Sequence, residues 1–225
     1  MNTAERFRMP ENFPIIRTIP PSTRRETVEA LMNYPYPDYA HGDNGHQKEQ
    51  AERIKAADRI AVGNMQCTLW ETAWYLRSME ELFCDMMMED EKADYLFDKV
   101  LEISKIRALS YVNAGVDVLF FGDDIGMQHT IMMSEELYCQ WIKPRLADLI
   151  CTVKAVNPDV IIFYHSCGFV EPFIPHLIEA GVDVLNPIQS ECMDFKEICR
   201  KYGSRIPSTA PSALRPPCPS LPRRR

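Results

Sequence analysis

Ala114-Gly115-Val116-Asp117-Val118-Leu119 returns 66 residues later as Ala180-Gly181-Val182-Asp183-Val184-Leu185. Each copy places a glycine where a helix should stop and then opens an apolar run. Between them lies another apolar run, residues 159–164 (DVIIFY), with helical patterns before and after it. An offset of 66 residues equals two units of about 33, the size of successive β/α crossovers. A chance phrase could repeat once, but it would not sit inside a continuing alternation of strands and helices. Such alternation forces a parallel sheet, open or closed.

The same reading extends outward. Residues 116–122 (VDVLFFG) form a near-continuous apolar run, as expected of a strand covered on both faces. Upstream, residues 59–64 (RIAVGN) suggest a short strand, and residues 69–88 suggest one aromatic and Met-rich helix. Residues 91–113 read as a second helix, with Leu96, Val100 and Ile103 on one face. Ser134 is a predicted N-cap, with Glu135 and Glu136 favourable beside it. Pro144 must kink the helix that follows or start a new one. Val170, Phe173, Ile174, Leu177 and Ile178 share a helix face that Gly181 ends. Residues 182–186 suggest a last strand, and residues 194–201 a short helix.

The flanks differ. Residues 1–50 are broken by Pro10, Pro14, Pro20, Pro21, Pro35 and Pro37, and His41-Gly42-Asp43-Asn44-Gly45 reads as a turn. Residues 207–225 hold six prolines and four arginines with no acidic or aromatic residue, so they are expected to be a disordered or frame-shifted tail. The expected organisation is an irregular segment 1–50, a domain over residues 51–206 and that tail. About four β/α units are readable, whereas a (β/α)8 barrel has eight strands and about 250 residues. The expected fold is therefore α/β, a partial (β/α)8 TIM barrel.

The 225-residue chain carries a net charge of −7, which disfavours nucleic acid as a partner. No apolar run approaches the roughly 20 residues that span a bilayer, and the first residues lead into no apolar signal region. Eight scattered cysteines among twelve methionines fit a reducing cytoplasm better than a disulfide scaffold.

His165 and Cys167 directly follow the run 159–164, two residues apart, so strand geometry would point both to one side. In parallel β/α folds the carboxyl ends of strands are where sites are built. Imidazole and thiolate are ligands that zinc prefers. Two ligands do not make a site, and a buried cysteine beside a hydrogen-bonded histidine fits the same pattern. Asp123 and Asp124 end the preceding strand. Neighbours on a strand point opposite ways, so one of them is expected to face the pocket as a hydrogen-bond acceptor or general acid/base. The other reading is solvated loop acids. Asn186 and Gln189 end the last strand and are candidates to line the pocket, or plain loop residues. Gln128 and His129 could also reach inward, but a lone loop histidine is more often plain surface. Trp70, Trp74, Tyr75, Met79, Met86, Met87 and Met88 lie at helical spacing and read as core rather than as a cofactor wall.

The phrases His165-Ser166-Cys167-Gly168 and Leu177-Ile178-Glu179-Ala180-Gly181-Val182-Asp183-Val184-Leu185-Asn186-Pro187-Ile188-Gln189 resemble the uroporphyrinogen decarboxylase and cobalamin-dependent methyltransferase superfamily. So do Phe120-Phe121-Gly122-Asp123-Asp124-Ile125-Gly126, Ile142-Lys143-Pro144-Arg145-Leu146, Tyr34-Pro35-Tyr36-Pro37-Asp38 and Trp74-Tyr75-Leu76-Arg77-Ser78-Met79-Glu80. The resemblance covers roughly residues 28–206 and implies a (β/α)8 barrel of which this chain looks like the middle. It also implies that His165 and Cys167 hold zinc together with a later cysteine. Cys192 comes too early for that role, and Cys218 lies in the foreign tail. A completed site would bind a thiol substrate as thiolate, which would take a methyl group from a corrinoid protein.

Three functions stay open at this level. The first is zinc-dependent methyl transfer from a corrinoid protein to a thiol-type acceptor. The second is decarboxylation of a tetrapyrrole, uroporphyrinogen, which needs no cofactor; its carboxylate-rich substrate calls for arginines that the readable strand ends lack. The third is an inactive, truncated fragment.

Overall fold

The computed structural model describes residues 27–40 and 45–205. Its centre is a parallel sheet of four strands in the order β1 (Val62–Gln66), β2 (Val118–Gly122), β3 (Ile161–His165), β4 (Val184–Asn186). Each strand is parallel to its neighbour. Helices join them: α3 (Trp70–Arg77), α4 (Met79–Met87) and α5 (Glu91–Asn113) between β1 and β2, α6 (Glu135–Trp141) and α7 (Lys143–Val156) between β2 and β3, and α8 (Ile174–Ala180) between β3 and β4. Before β1 stand α1 (Val28–Met32) and α2 (Gly45–Ala56), and α9 (Phe195–Tyr202) follows β4. Sequential strands that are spatial neighbours, each reached through helices, give the β/α arrangement expected of a partial barrel.

Burial alternates along the strands. Met65, Leu119, Phe121, Ile162 and Tyr164 are buried against the helices, in one core with Phe97, Leu149 and Leu177. Asn64, Phe120, Phe163 and His165 point to the second face and are half-buried. There Phe120 stacks on Phe163 with ring centroids 5.4 Å apart. The apolar run 116–122 is thus not equally covered on its two sides.

The two copies of the repeat do the same work. Asp117 opens the approach to β2, and its carboxylate accepts the Ala61 N–H, just before β1, at 2.9 Å while pairing with Lys55 of α2 at 2.9 Å. Asp183 opens the approach to β4, accepts the Ile162 N–H of β3 at 2.8 Å and pairs with Lys154 of α7 at 3.0 Å. In each unit, then, an acid at the start of one strand clamps the strand before it and the helix that leads there. Gly115 and Gly181, at φ +84° and +104°, end the helices just before these acids.

Several boundaries depart from expectation. α1 and the first half of α2 fall inside the segment 1–50 expected to be irregular, because Leu31 and Ala51 find the core. The turn expected at 41–45 lies outside the described residues except for Gly45, where α2 begins. The tail 207–225 lies wholly outside them. The single helix expected over 69–88 is two helices, broken at Ser78 with φ +78°. Ser78 caps α4 by accepting the Glu81 N–H at 3.3 Å. In the aromatic and Met cluster, Trp70 and Met86 are core, Trp74 and Met79 pack on its margin, and Met87 and Met88 are exposed. No described helix is long and apolar enough to cross a membrane.

A candidate metal centre at the strand ends

The strand register sets four residues in one row across the sheet: Gln66, Gly122, His165 and Asn186. The site is built on this row and on the loops leaving it. Asp123 N–H donates to His165 O at 3.1 Å, and Ser166 N–H donates to Asn186 O at 3.0 Å, so the loops begin in register. Ser166, fully buried, accepts the Ile125 N–H on its Oγ at 3.0 Å. Gly126 lets the loop after β2 lie on the loop after β3, because a Cβ there would meet Phe169 O at 2.7 Å and Cys167 O at 2.8 Å. Gly168, at φ +85°, turns the chain back beside it.

These loops gather His165, Cys167 and Asp124. One ligand atom from each lies within 4.8 Å of the others. His165 Nε2 is 3.5 Å from Cys167 Sγ and 3.9 Å from Asp124 Oδ1. On a tetrahedral zinc with bonds of about 2.0–2.3 Å, neighbouring ligand atoms stand about 3.4–3.6 Å apart. The three side chains could therefore hold such an ion with small adjustments. Nitrogen, sulfur and carboxylate oxygen are all zinc ligands, and three protein ligands leave a fourth position for a substrate. A thiolate and a carboxylate together also balance the charge of a divalent ion, as two thiolates would.

The remaining contacts orient this group. His165 Nδ1 is 3.1 Å from Asn186 Oδ1. Asp124 Oδ1 accepts the Cys167 N–H at 2.7 Å. Burial, and then the nearby charges of Asp124 and Glu71, push the Cys167 thiol up. It keeps its proton near neutral pH, and binding a metal would release that proton. Glu71, in the first turn of α3, was not legible as a site residue in the sequence. Burial and the charge of Asp124 raise its carboxyl, while the Asp124 N–H and the Cys67 thiol both donate to it. Cys67 follows β1 in a left-handed conformation (φ +57°), and its thiol is pushed up to about 12 by burial and by Glu71. Cys67 carried the sequence signal used for His165, a titratable group just past a strand's carboxyl end, whereas Glu71, inside the helix that follows, carried none.

The other candidates separate. Asp123 is fully buried, and its carboxylate accepts the N–H groups of Leu69 and Glu71 at the start of α3. It does not face the pocket; Asp124, half-buried, does. Gln189 Oε1 accepts the Gly168 N–H at 2.7 Å and lies 3.5 Å from the Cys192 thiol, so it braces the turn rather than offering a free side chain. Asn186 stands on the second face beside His165. Gln128 and His129 are exposed. Cys192 is not among the three gathered side chains, the third of which is the Asp124 carboxylate; Cys218 lies outside the described residues.

Fold and site together define a β/α-barrel-type chain with a metal-competent His-x-Cys group at its strand ends. The chain belongs to the uroporphyrinogen decarboxylase (URO-D) family, whose model matches residues 14–207. Among solved structures it is similar to a methyltransferase from Methanosarcina mazei, with a TM-score of 0.60 and 23% sequence identity. That likeness covers 72% of this chain and 45% of the methyltransferase, so this chain spans less than half the length of that protein. No curated protein matches it in sequence.

Proposed function

We propose that the site serves methyl transfer to a thiol-type acceptor, with zinc held by His165, Cys167 and Asp124. The observation that carries this reading is the approach of those three ligand atoms to within 4.8 Å of one another at the strand ends. Bound zinc would supply a lowered thiol pKa, keeping an acceptor as its nucleophilic thiolate at neutral pH. His165 contributes its Nε2, Cys167 its sulfur once deprotonated, and Asp124 a carboxylate oxygen. Glu71, with its carboxyl raised, is placed to take up a proton released as thiols bind. Phe120 and Phe163 form an apolar wall beside His165, with Phe120 and the imidazole stacked at 5.7 Å, and such a wall limits water near a thiolate. The methyl donor that fits the family resemblance is a corrinoid protein.

Tetrapyrrole decarboxylation fits the site less well. Its candidate acceptor would be Asp124, since Asp123 is used by backbone. The titratable groups around Asp124 are Glu71, His165 and Cys167, a set that does not attract a substrate rich in carboxylates.

Metal analysis of the purified chain tests the proposal. The expected result is close to one zinc per chain, lost in Cys167→Ala and weakened in Asp124→Asn, and methylation of a small thiol from a methylated corrinoid protein. Absence of zinc, with Cys167→Ala making no difference, would sink it.

A further inference from the structure

We infer that Asn186 is a positioning residue that fixes which ring nitrogen of His165 is free. The inference deepens the metal-site reading above and rests on it only for its second experiment. Asn186 and His165 are direct cross-strand partners on β4 and β3. Residues paired in register on neighbouring strands about 4.8 Å apart project to the same face of the sheet, so their side chains meet by register rather than by chance rotamers. Their contact is His165 Nδ1 to Asn186 Oδ1 at 3.1 Å.

An imidazole that donates from Nδ1 must present a lone pair at Nε2 when neutral. Nε2 is the nitrogen that faces Cys167 Sγ at 3.5 Å and Asp124 Oδ1 at 3.9 Å. With the opposite tautomer, Nε2 would carry a proton pointing into the ligand cluster, and the lone pair would be turned to the sheet. The amide of Asn186 can serve either tautomer, through its oxygen or its nitrogen. One feature selects the oxygen. Cys167 Sγ lies 3.5 Å from Nε2, where a protonated thiol gives its S–H to a lone pair, and this leaves the ring proton on Nδ1 for the Asn186 oxygen to accept. Asp124, at 3.9 Å, is beyond hydrogen-bond reach of Nε2. The histidine is thus preset to offer the Nε2 lone pair before any ion arrives, in the way that outer partners set metal-binding histidines.

The tautomer is read directly by long-range 15N–1H correlation on the metal-free full chain labelled at histidine, above the histidine titration. Loss of the signal in His165→Gln gives its assignment. The expected pattern is a protonated Nδ1 and a bare Nε2, moving toward protonated Nε2 in Asn186→Leu. A protonated Nε2 in the unaltered chain overturns the inference. Cobalt titration, followed by the thiolate charge-transfer band, gives the second readout. Asn186→Leu should bind about 10–100-fold more weakly, whereas Asn186→Asp, which still accepts from Nδ1–H, should stay near the unaltered affinity. Equal binding by all three chains overturns the positioning role. No thiolate–cobalt band in the unaltered chain, together with a bare Nε2, refutes the metal site and leaves the role of Asn186 standing. If Asn186→Leu does not fold, the tautomer of the unaltered chain decides.

Discussion

Asp123 reaches back across 54 residues to accept the Leu69 N–H at 2.8 Å, and the same carboxylate takes the Glu71 N–H at 3.0 Å. The end of β2 therefore caps the helix that leaves β1, and a group that could pass for a catalytic acid is an internal tie. Replacing it with alanine strands two N–H groups in the core. At about 1–3 kcal/mol for each unsatisfied buried donor, Asp123→Ala should lose roughly 3 kcal/mol of stability. Asp123→Asn keeps one acceptor and should lose less. Urea denaturation of the two variants checks the order.

The two acids that tie neighbouring units titrate with opposite consequences. Burial pushes the Asp123 carboxyl from the usual 3.8 up to about 7, against the pull of its N–H donors. Between about pH 4 and 7 the folded chain holds a proton there that the unfolded chain has lost. Stability from this group therefore falls as pH rises through that window. Asp117 is also desolvated, but the Ala61 N–H and Lys55 outweigh this and hold its carboxyl below the usual 3.8. Its contribution is complete above about pH 4 and is lost as pH falls below it. Urea midpoints from pH 3 to 8 should show the unaltered chain losing ground to Asp123→Asn from pH 4 to 7, and to Asp117→Asn only below pH 4.

Arg77 and Asp85 form an ion pair at 2.6 Å, with each side chain under 5% exposed. Without Arg77, the buried Asp85 carboxylate keeps the more distant Lys92, at 3.6 Å. Arg77→Met should cost about 3 kcal/mol, whereas removing both charges together, as in Arg77→Met with Asp85→Leu, should recover most of that loss. A double-mutant cycle by thermal melting measures the difference. A simple sum of the two single losses would argue against direct coupling of the pair.

Gln189 supports the His165–Gly168 turn from the end of the sheet through its bond to the Gly168 N–H. In Gln189→Ala that N–H loses its partner, for about 1–2 kcal/mol, and the turn that aims Cys167 loosens. Zinc affinity should fall without loss of any ligand. Gln189→Glu retains the acceptor and should restore binding. Calorimetric titration with zinc separates the three chains.

Much of this architecture was legible because local signals and packing agree. The helix expected at residues 91–113 is α5 to the residue: Asp90 caps it through the Lys92 N–H, and of its expected apolar face Leu96 and Val100 are core while Ile103 is only half-buried. The glycines of the repeat stop their helices as expected. The split of residues 69–88 had a signal that periodicity hid, since Ser78-Met79-Glu80-Glu81 has the spacing of a capping box. α1 is five residues, little more than one turn, too short for a periodic pattern, and its docking depends on contacts far along the chain. In the site, alternation said that one of Asp123 and Asp124 faces inward. It could not say which, because the choice rests on N–H groups more than 50 residues away. Glu71 was hidden for a similar reason, since Asp124, whose N–H and charge act on it, belongs to the loop after β2.

Asp183 accepts the Ile162 N–H where β3 and β4 begin, and that pin has an effect at the other end of the sheet. A slip of β4 by one residue would exchange its faces. Asn186 would then turn toward the helices, and His165 would lose its neighbour. The aspartate far from the chemistry thus works as a surveyor's datum: three residues of strand are measured out from it, and the mark falls on the atom that orients the imidazole.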